Sequence, residues 1–294
     1  MPQRNNPMSA VQKKRTVSTT KKKGTTSSSK TFRTSKKEQM KHRTVMPVWI
    51  RNILAVMIVG CFSIAFYYFF IRPYAYRWKP CHGLKEYGVC IPDGYDIHGI
   101  DISHYQGKID WKKVAADGID FAFIRVGFRG SSEGKLVEDE YFIDNIEGAL
   151  ENHIEVGVYF YTQAVTTEEA KEEAQFLLDL LEPYDITYPV VLDLEEVNGK
   201  SRTDDMTQED FTDAAIEFLD TVEKAGYRPM IYGNLKTFFI MLDMSRIEKY
   251  DKWFAYYQTP VYFPYEFTIW QYSSTGKVDG IKGDVDLNVS MKEY

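Results

Sequence analysis

The chain has 294 residues, of which 44% are hydrophobic and 27% charged, with a formal net charge of −6. That apolar share excludes a wholly disordered protein. Three cysteines and five scattered histidines exclude a disulfide-dense scaffold and supply no C-x-x-C or H-E-x-x-H spacing for zinc.

The charge is unevenly spread, so the chain is read in segments. Residues 1–46 hold 13 Lys and Arg against Glu38 alone, with no apolar periodicity; they are expected to form a disordered basic tail on the cytoplasmic side. No aromatic interleaving accompanies the charge, so a topology signal is a better reading than a nucleic-acid site. Residues 47–72 are expected to form a transmembrane helix. Ile53 to Ile71 is a run of 19 residues without a charge, the length needed to cross a hydrocarbon core of about 30 Å. Trp49 on one side and Tyr67, Tyr68, Tyr74, Tyr76 and Trp78 on the other suit interfacial belts, and the basic excess puts the N-terminus inside. The lipid bilayer is thus one expected partner, through residues 53–71. A cleaved signal peptide fits less well, because its charged leader would be too long and no A-x-A-like site follows.

Beyond Arg72 the balance inverts: residues 73–294 carry 21 basic and 41 acidic side chains, a net charge near −20, and repulsion disfavours nucleic acid as a partner. Residues 73–95 read as a linker, in which Cys81 and Cys90 bracket CHGLKEYGVC; a disulfide outside the cell and two free thiols both remain open.

From residue 96 to 294, short apolar runs alternate with amphipathic ones, predicting βα units around a parallel sheet. The strand candidates are 96–103, 121–128, 155–162, 188–195, 228–234, 252–258, 267–273 and 285–290. Between the third and fourth, Thr166 and Glu169 suit a capping box, followed by Ala170, Ala174, Leu177, Leu178 and Leu181 at helical spacing. Between the fourth and fifth, Phe211, Ala214, Ala215, Phe218, Leu219 and Val222 repeat the scheme, with Gly226 as a stop. Little room for helices remains between the last three strands. The fold class predicted is α/β, an irregular (β/α) barrel of TIM-barrel type with about five βα units and a simplified last third, preceded by a single transmembrane helix.

In such a barrel the carboxyl ends of the strands form the rim where substrates bind. The run YPVVLDLEEV ends in Asp193, Glu195 and Glu196. The pleat would aim Asp193 and Glu195 to one side and Glu196 away. Two acids on one face are the minimum apparatus for acid catalysis at a glycosidic bond, one kept protonated by its surroundings and one ionised. Asp101 and Asp286 terminate the first and last strands, which are neighbours in a closed ring, so four acids are expected in one bowl. Taken alone, Asp101 and Asp286 read better as solvated strand ends, and the Asp193/Glu195 pair reads equally well either way.

The ordered set GIDISHYQGKIDW, FAFIRVGF, GVYFYTQA, PVVLDLE, WFAYY, IWQYSS and GDVDLN resembles the glycoside hydrolase family 25 lysozymes, the Chalaropsis-type muramidases, over residues 96–290. The resemblance implies hydrolysis of the β-1,4 bond between N-acetylmuramic acid and N-acetylglucosamine, with glycan strands of peptidoglycan as partner; with no zinc spacing in the chain, no metal or cofactor is expected. By the same resemblance Glu195 matches the family's proton donor, Asp193 its D-x-E partner, and Asp101 and Asp286 the acids of the first and last strands. A chitinase-like D-x-x-D-x-D-x-E pattern is disfavoured by Tyr188 and Val191 at its upstream positions. One departure is Tyr159-Phe160-Tyr161 where many members carry Tyr-His-Phe.

Substrate assistance, with Asp193 orienting a 2-acetamido group, and attack by an activated water both remain open. Tyr159 and Trp270 are expected as sugar platforms, Trp253 and Tyr257 as further contacts. Arg125 is expected to meet a carboxylate of the site or substrate, or to pair with Asp101. His104 suits packing or hydrogen bonding better than proton transfer. A membrane-anchored muramidase that remodels the wall is the function expected. A wall-binding scaffold that has lost activity on the same barrel is the alternative.

Overall fold

A computed structural model describes residues 46–71, 84–86, 89–91 and 94–294. The basic tail and Cys81, and with it the expected disulfide, lie outside the described residues. Helix α1 (Val48–Phe66) continues through a π-helical turn (Tyr67–Ile71), 24 residues in all, or about 36 Å at 1.5 Å per residue. Its side chains are apolar all round except Arg51, Asn52, Ser63 and the hydroxyls of Tyr67 and Tyr68, so no face is marked for a protein core.

The segment read as a linker contains a hairpin, β1 (Leu84–Glu86) against β2 (Val89–Ile91). Val89 and Ile91 are buried and belong to the main apolar core, which makes these residues part of the folded domain.

The barrel strands are β3 (Ile97–Ile102), β4 (Phe121–Arg129), β6 (Glu155–Tyr161), β7 (Val190–Asp193), β8 (Pro229–Gly233), β9 (Asp251–Ala255), β10 (Ile269–Gly276) and β11 (Val285–Ser290). They pair in that order, and β11 closes the ring onto β3. A short β5 (Leu136–Glu138) adds to the rim end of β4. All neighbours in the ring are parallel except β11, which runs antiparallel to both β10 and β3. Five βα units are present: α2 (Trp111–Ala116), α3 (Phe142–Glu151), α4 (Thr167–Leu181) and α5 (Gln208–Lys224) follow the first four strands of the ring, and a π-helical turn (Thr237–Met241) with α6 (Met244–Ile247) follows the fifth.

Strand β4 is continuously apolar because both its faces are covered. Phe121 and Phe123 point into the barrel with Tyr159, Val191, Met230, Trp253 and Ile269. Ala122, Ile124 and Val126 point outward to the helices. The inner rings need space that neighbouring strands supply: a Cβ on Gly99 would sit 2.3 Å from the Phe121 ring, and one on Gly157 would sit 2.4 Å from Phe123. Either Gly→Ala change therefore forces a packed ring to move.

Both long helices begin on threonine caps, which satisfy amide groups that the first turn leaves unpaired. Thr207 and Asp210 form a full capping box for α5. On α4, Thr166 accepts from the Glu169 amide, but the Glu169 carboxylate turns to the Val165 amide and to Arg202 instead of closing the expected box.

Candidate active site

The rim above the strand ends encloses a cleft of about 550 Å³, lined by Asp101, Asp193, Glu195 and Asp286. All four acids singled out from the sequence therefore share one bowl, although two reach it by routes other than those expected. β7 stops at Asp193, so the strand pleat does not aim Glu195. Instead Leu194 is pinned, its amide donating to the Tyr232 carbonyl and its carbonyl accepting from Thr237 Oγ1 at 2.9 Å. That anchor turns the next residue back over the cleft. Asp286 stands near the beginning of β11, not at its end; the antiparallel course of β11 brings this start to the rim, directly opposite Asp101 in register.

Asp101 is buried and well hydrogen-bonded. Its Oδ2 accepts from Gln271 Nε2 and Asn288 Nδ2, each at 2.9 Å. The other ends of these amides are fixed in turn. Gln271 Oε1 accepts from the Tyr232 and Tyr257 hydroxyls at 2.9 and 2.8 Å, and Asn288 Oδ1 accepts from Trp253 Nε1 at 2.8 Å. Burial and then the Asp286 charge push the Asp101 carboxyl well above the ordinary range, against the two amide donors. Burial also raises Asp286 to about 6.

The second pair behaves alike. Asp193 is raised well above its ordinary value by burial, then by the charges of Glu195 and Asp101. Glu195, less enclosed, is raised by burial, with Asp286 adding to it and the bond to Asp193 opposing. Both shifts run toward the protonated form, and ionising one carboxyl opposes ionising the other. Asp193 Oδ1 is buried and has no hydrogen-bond partner among the described residues.

Of the expected sugar contacts, Tyr159, Arg125, Trp253 and Tyr257 line the cleft. Trp253 is a buried floor residue stacked on Phe123 at 4.5 Å, whereas Tyr257 is 47% exposed and free to meet a ligand. Trp270 does not reach the cleft. It alternates outward from Ile269 and Gln271 into the helix-side core, where its Nε1 donates to the Tyr256 carbonyl at 2.7 Å, which corrects its expected role as a platform. Arg125 pairs with Asp139, not Asp101, at 2.7 Å, and its guanidinium lies 5.5 Å from the centre of the Tyr105 ring. His104 packs on Tyr105 at 4.1 Å and meets Arg125 through Nδ1, a positioning role. Glu196 points away from the pair, as expected, to Lys236.

Several cleft residues were not singled out from the sequence: Tyr105, Tyr232, Gln271, Asn198 and Ser274, with Asn288 and Asp139 behind them. Among the described residues no cluster of His, Cys, Asp or Glu is arranged to hold a metal ion.

The pattern described as glycosyl hydrolases family 25 matches residues 100–281. The chain is 33% identical over 228 residues to the protein YegX of Escherichia coli K12, covering 75% of this chain and 77% of that one. It is 29% identical over 219 residues to lysozyme M1 of Streptomyces globisporus, covering 70% and 71%. Among solved structures, the modular autolysin LytC of Streptococcus pneumoniae, crystallised with a synthetic peptidoglycan ligand, superposes with a TM-score of 0.60 at 25% identity. That match covers 71% of this chain and 52% of the autolysin, so this chain spans about half the autolysin's length. A ring of eight strands carrying four acids over one cleft, together with these matches, places the chain in glycosyl hydrolases family 25, as a glycoside hydrolase of the lysozyme type.

Proposed function

We propose that the chain is a membrane-anchored muramidase that cleaves the β-1,4 bond between N-acetylmuramic acid and N-acetylglucosamine, with Glu195 as general acid and Asp193 assisting. The observation that carries this reading is the convergence of two carboxyl pairs, Asp193/Glu195 and Asp101/Asp286, in one aromatic-lined cleft. A carboxyl pair whose surroundings favour the protonated form can protonate a leaving glycosidic oxygen, which an isolated solvated carboxylate cannot do well.

The unpartnered Asp193 Oδ1 favours substrate assistance over a separately activated water. A buried acceptor without a donor is costly by about 1–3 kcal/mol, and the N–H of a 2-acetamido group supplies the missing donor. Held in this way, the acetamido carbonyl oxygen bonds to the anomeric carbon as the glycosidic C–O bond breaks, and the leaving oxygen takes the proton from Glu195. Water then opens the cyclic intermediate and returns a proton to Glu195, with net retention of configuration. Asp101 and Asp286 keep the opposite wall acidic and polar. Arg125 and the cleft tyrosines supply contacts for the sugar.

The apolar run Val48–Ile71, with the basic residues on its N-terminal side, supports a single pass with the enzyme domain outside and activity on wall close to the membrane, in local remodelling. The direct test is purified peptidoglycan incubated with the full chain in mild detergent, followed by mass analysis of the fragments. New reducing ends at N-acetylmuramic acid, absent with Glu195→Gln, support the reading. A folded protein that binds wall and releases nothing across pH would leave a scaffold.

A further inference from the structure

A second cavity, of about 480 Å³, adjoins the cleft and shares Glu196, Val197 and Asn198 with it. It lies between the loop that follows β7, the start of α5 and the π-helical turn Thr237–Met241. We propose that this cavity receives a peptide branch carried by the glycan, so that the enzyme reads the stem of its substrate as well as the sugar; this rests on the muramidase reading above.

Three observations point to a peptide and not to a further sugar. The first is continuity: Glu195 is followed directly by the three residues that border both cavities, so a substituent leaving a sugar ring held at Glu195 passes over this border. The second is lining chemistry. Six of the nineteen residues around the cleft are aromatic, the surface on which pyranose faces pack, whereas Phe211 is the one aromatic among twelve here. The apolar wall is formed by Met206, Ile240 and Met241, adaptable surfaces that suit short aliphatic side chains such as those of alanine.

The third is charge. Among the described residues Lys236 is the one cation lining the cavity, and it pairs with Glu196. Both side chains are about half exposed, at 46% and 56%, and exposed pairs of this kind are worth about 0–1 kcal/mol. The pair can open at little cost and present the ammonium to a carboxylate of an incoming peptide. Asp204 lines the same cavity, so a branch that carries both an amine and a carboxylate, as a peptide stem does, meets a group of opposite charge for each.

The experiment compares kcat/KM of the full chain in detergent on two substrates from one wall preparation. One keeps its stems; the other has had them removed by an amidase that cuts between the lactyl group and the first amino acid. The ratio of the two values is read within each protein, so that a general loss cancels. Two variants are used, Ile240→Asp and Lys236→Ala. Ile240 is 63% exposed and Lys236 is exposed, so neither change removes a core contact. The wild type is expected to prefer the stem-bearing glycan, and each variant to lose about tenfold in the ratio, chiefly through KM, as loss of uniform binding requires. A wild-type ratio near one, or ratios within twofold of wild type in both variants, overturns the peptide site while leaving the muramidase. Failure of the wild type to cleave either substrate overturns both.

Discussion

Replacing Asp286 with Asn measures what the acid pair costs the fold. The carboxyl has an ordinary value of 3.8 and is raised to about 6 in the folded chain, first by burial. Below pH 3.8 it is neutral in both states and contributes no difference. Between 3.8 and 6 the folded chain retains a proton that the unfolded chain has released, so stability falls as pH rises. Above 6 both states are ionised and the full penalty persists. The gap of about two pH units, at about 1.36 kcal/mol each, sets a ceiling near 3 kcal/mol. Asp286 keeps some exposure and shares its charge with Asp101, so a gain of about 1–2 kcal/mol is expected for the neutral amide at pH 8, or about 2–8 °C in Tm for a domain of this size. Thermal unfolding of both proteins, followed by near-UV circular dichroism from pH 3.5 to 8, gives the difference curve directly. It should start near zero, climb between pH 4 and 6 and then level off, while hydrolysis falls. A difference independent of pH, or an Asn variant less stable than wild type at pH 8, would refute the reasoning.

Three further outcomes are expected. Glu195→Gln should lower the turnover of peptidoglycan by about 10²–10⁴, the usual contribution of a positioned acid, with glycan binding retained in a pull-down; turnover within tenfold of wild type would assign the acid elsewhere. Arg129 is buried against Glu173 at 2.8 Å, so Arg129→Met leaves a buried carboxylate without its counter-charge, held only by the Thr162 hydroxyl and the Gln163 amide, and should destabilise the fold by about 3–5 kcal/mol at pH 8. Burial raises Glu173 to about 7, so at pH 5 it takes up a proton, needs no counter-charge, and the loss measured by thermal unfolding should shrink; an equal loss at both pH values would contradict this. Val56→Arg combined with Val59→Arg places two cations mid-helix at about 2.5–3.5 kcal/mol each, and fractionation of cells should show the chain leaving the membrane pellet. Retention there would count against α1 as the anchor.

The parallel half of the barrel was legible because buried parallel strands read as unbroken apolar runs between amphipathic helices, as in FAFIRVGF and YPVVLDLE. What local sequence does not carry is strand direction. Asp286 was expected at a strand end and sits at a strand start, and only the reversal of β11 puts it beside Asp101. Glu195 was assigned to the pleat of β7, yet its placement depends on Thr237, which lies 43 residues beyond the carbonyl it holds. Trp270 was misread for a different reason. In the run Ile269-Trp270-Gln271-Tyr272 the polar residue faces inward with Ile269, and a buried glutamine between two aromatics is the available signal that those two neighbours face out. Asp139 lay in a loop with no motif around it, and nothing in the sequence joins it to Arg125.

The amides Gln271 and Asn288 explain why the cleft holds its shape with so much unpaired acidity. Each uses its N–H to bind the same oxygen of Asp101 and its carbonyl to bind an aromatic donor, so Tyr232, Tyr257 and Trp253 are tied to the carboxyl through one residue apiece. Neither Asn288 nor Gln271 is more than 2% exposed, and a buried amide left half-satisfied would be worse than an apolar side chain. The network is therefore obligatory as a set: the acid supplies the acceptor that orients the amides, and the amides hold the rings that wall the cleft. A change at Asp101 therefore reaches the cleft tyrosines Tyr232 and Tyr257 without altering any residue between them.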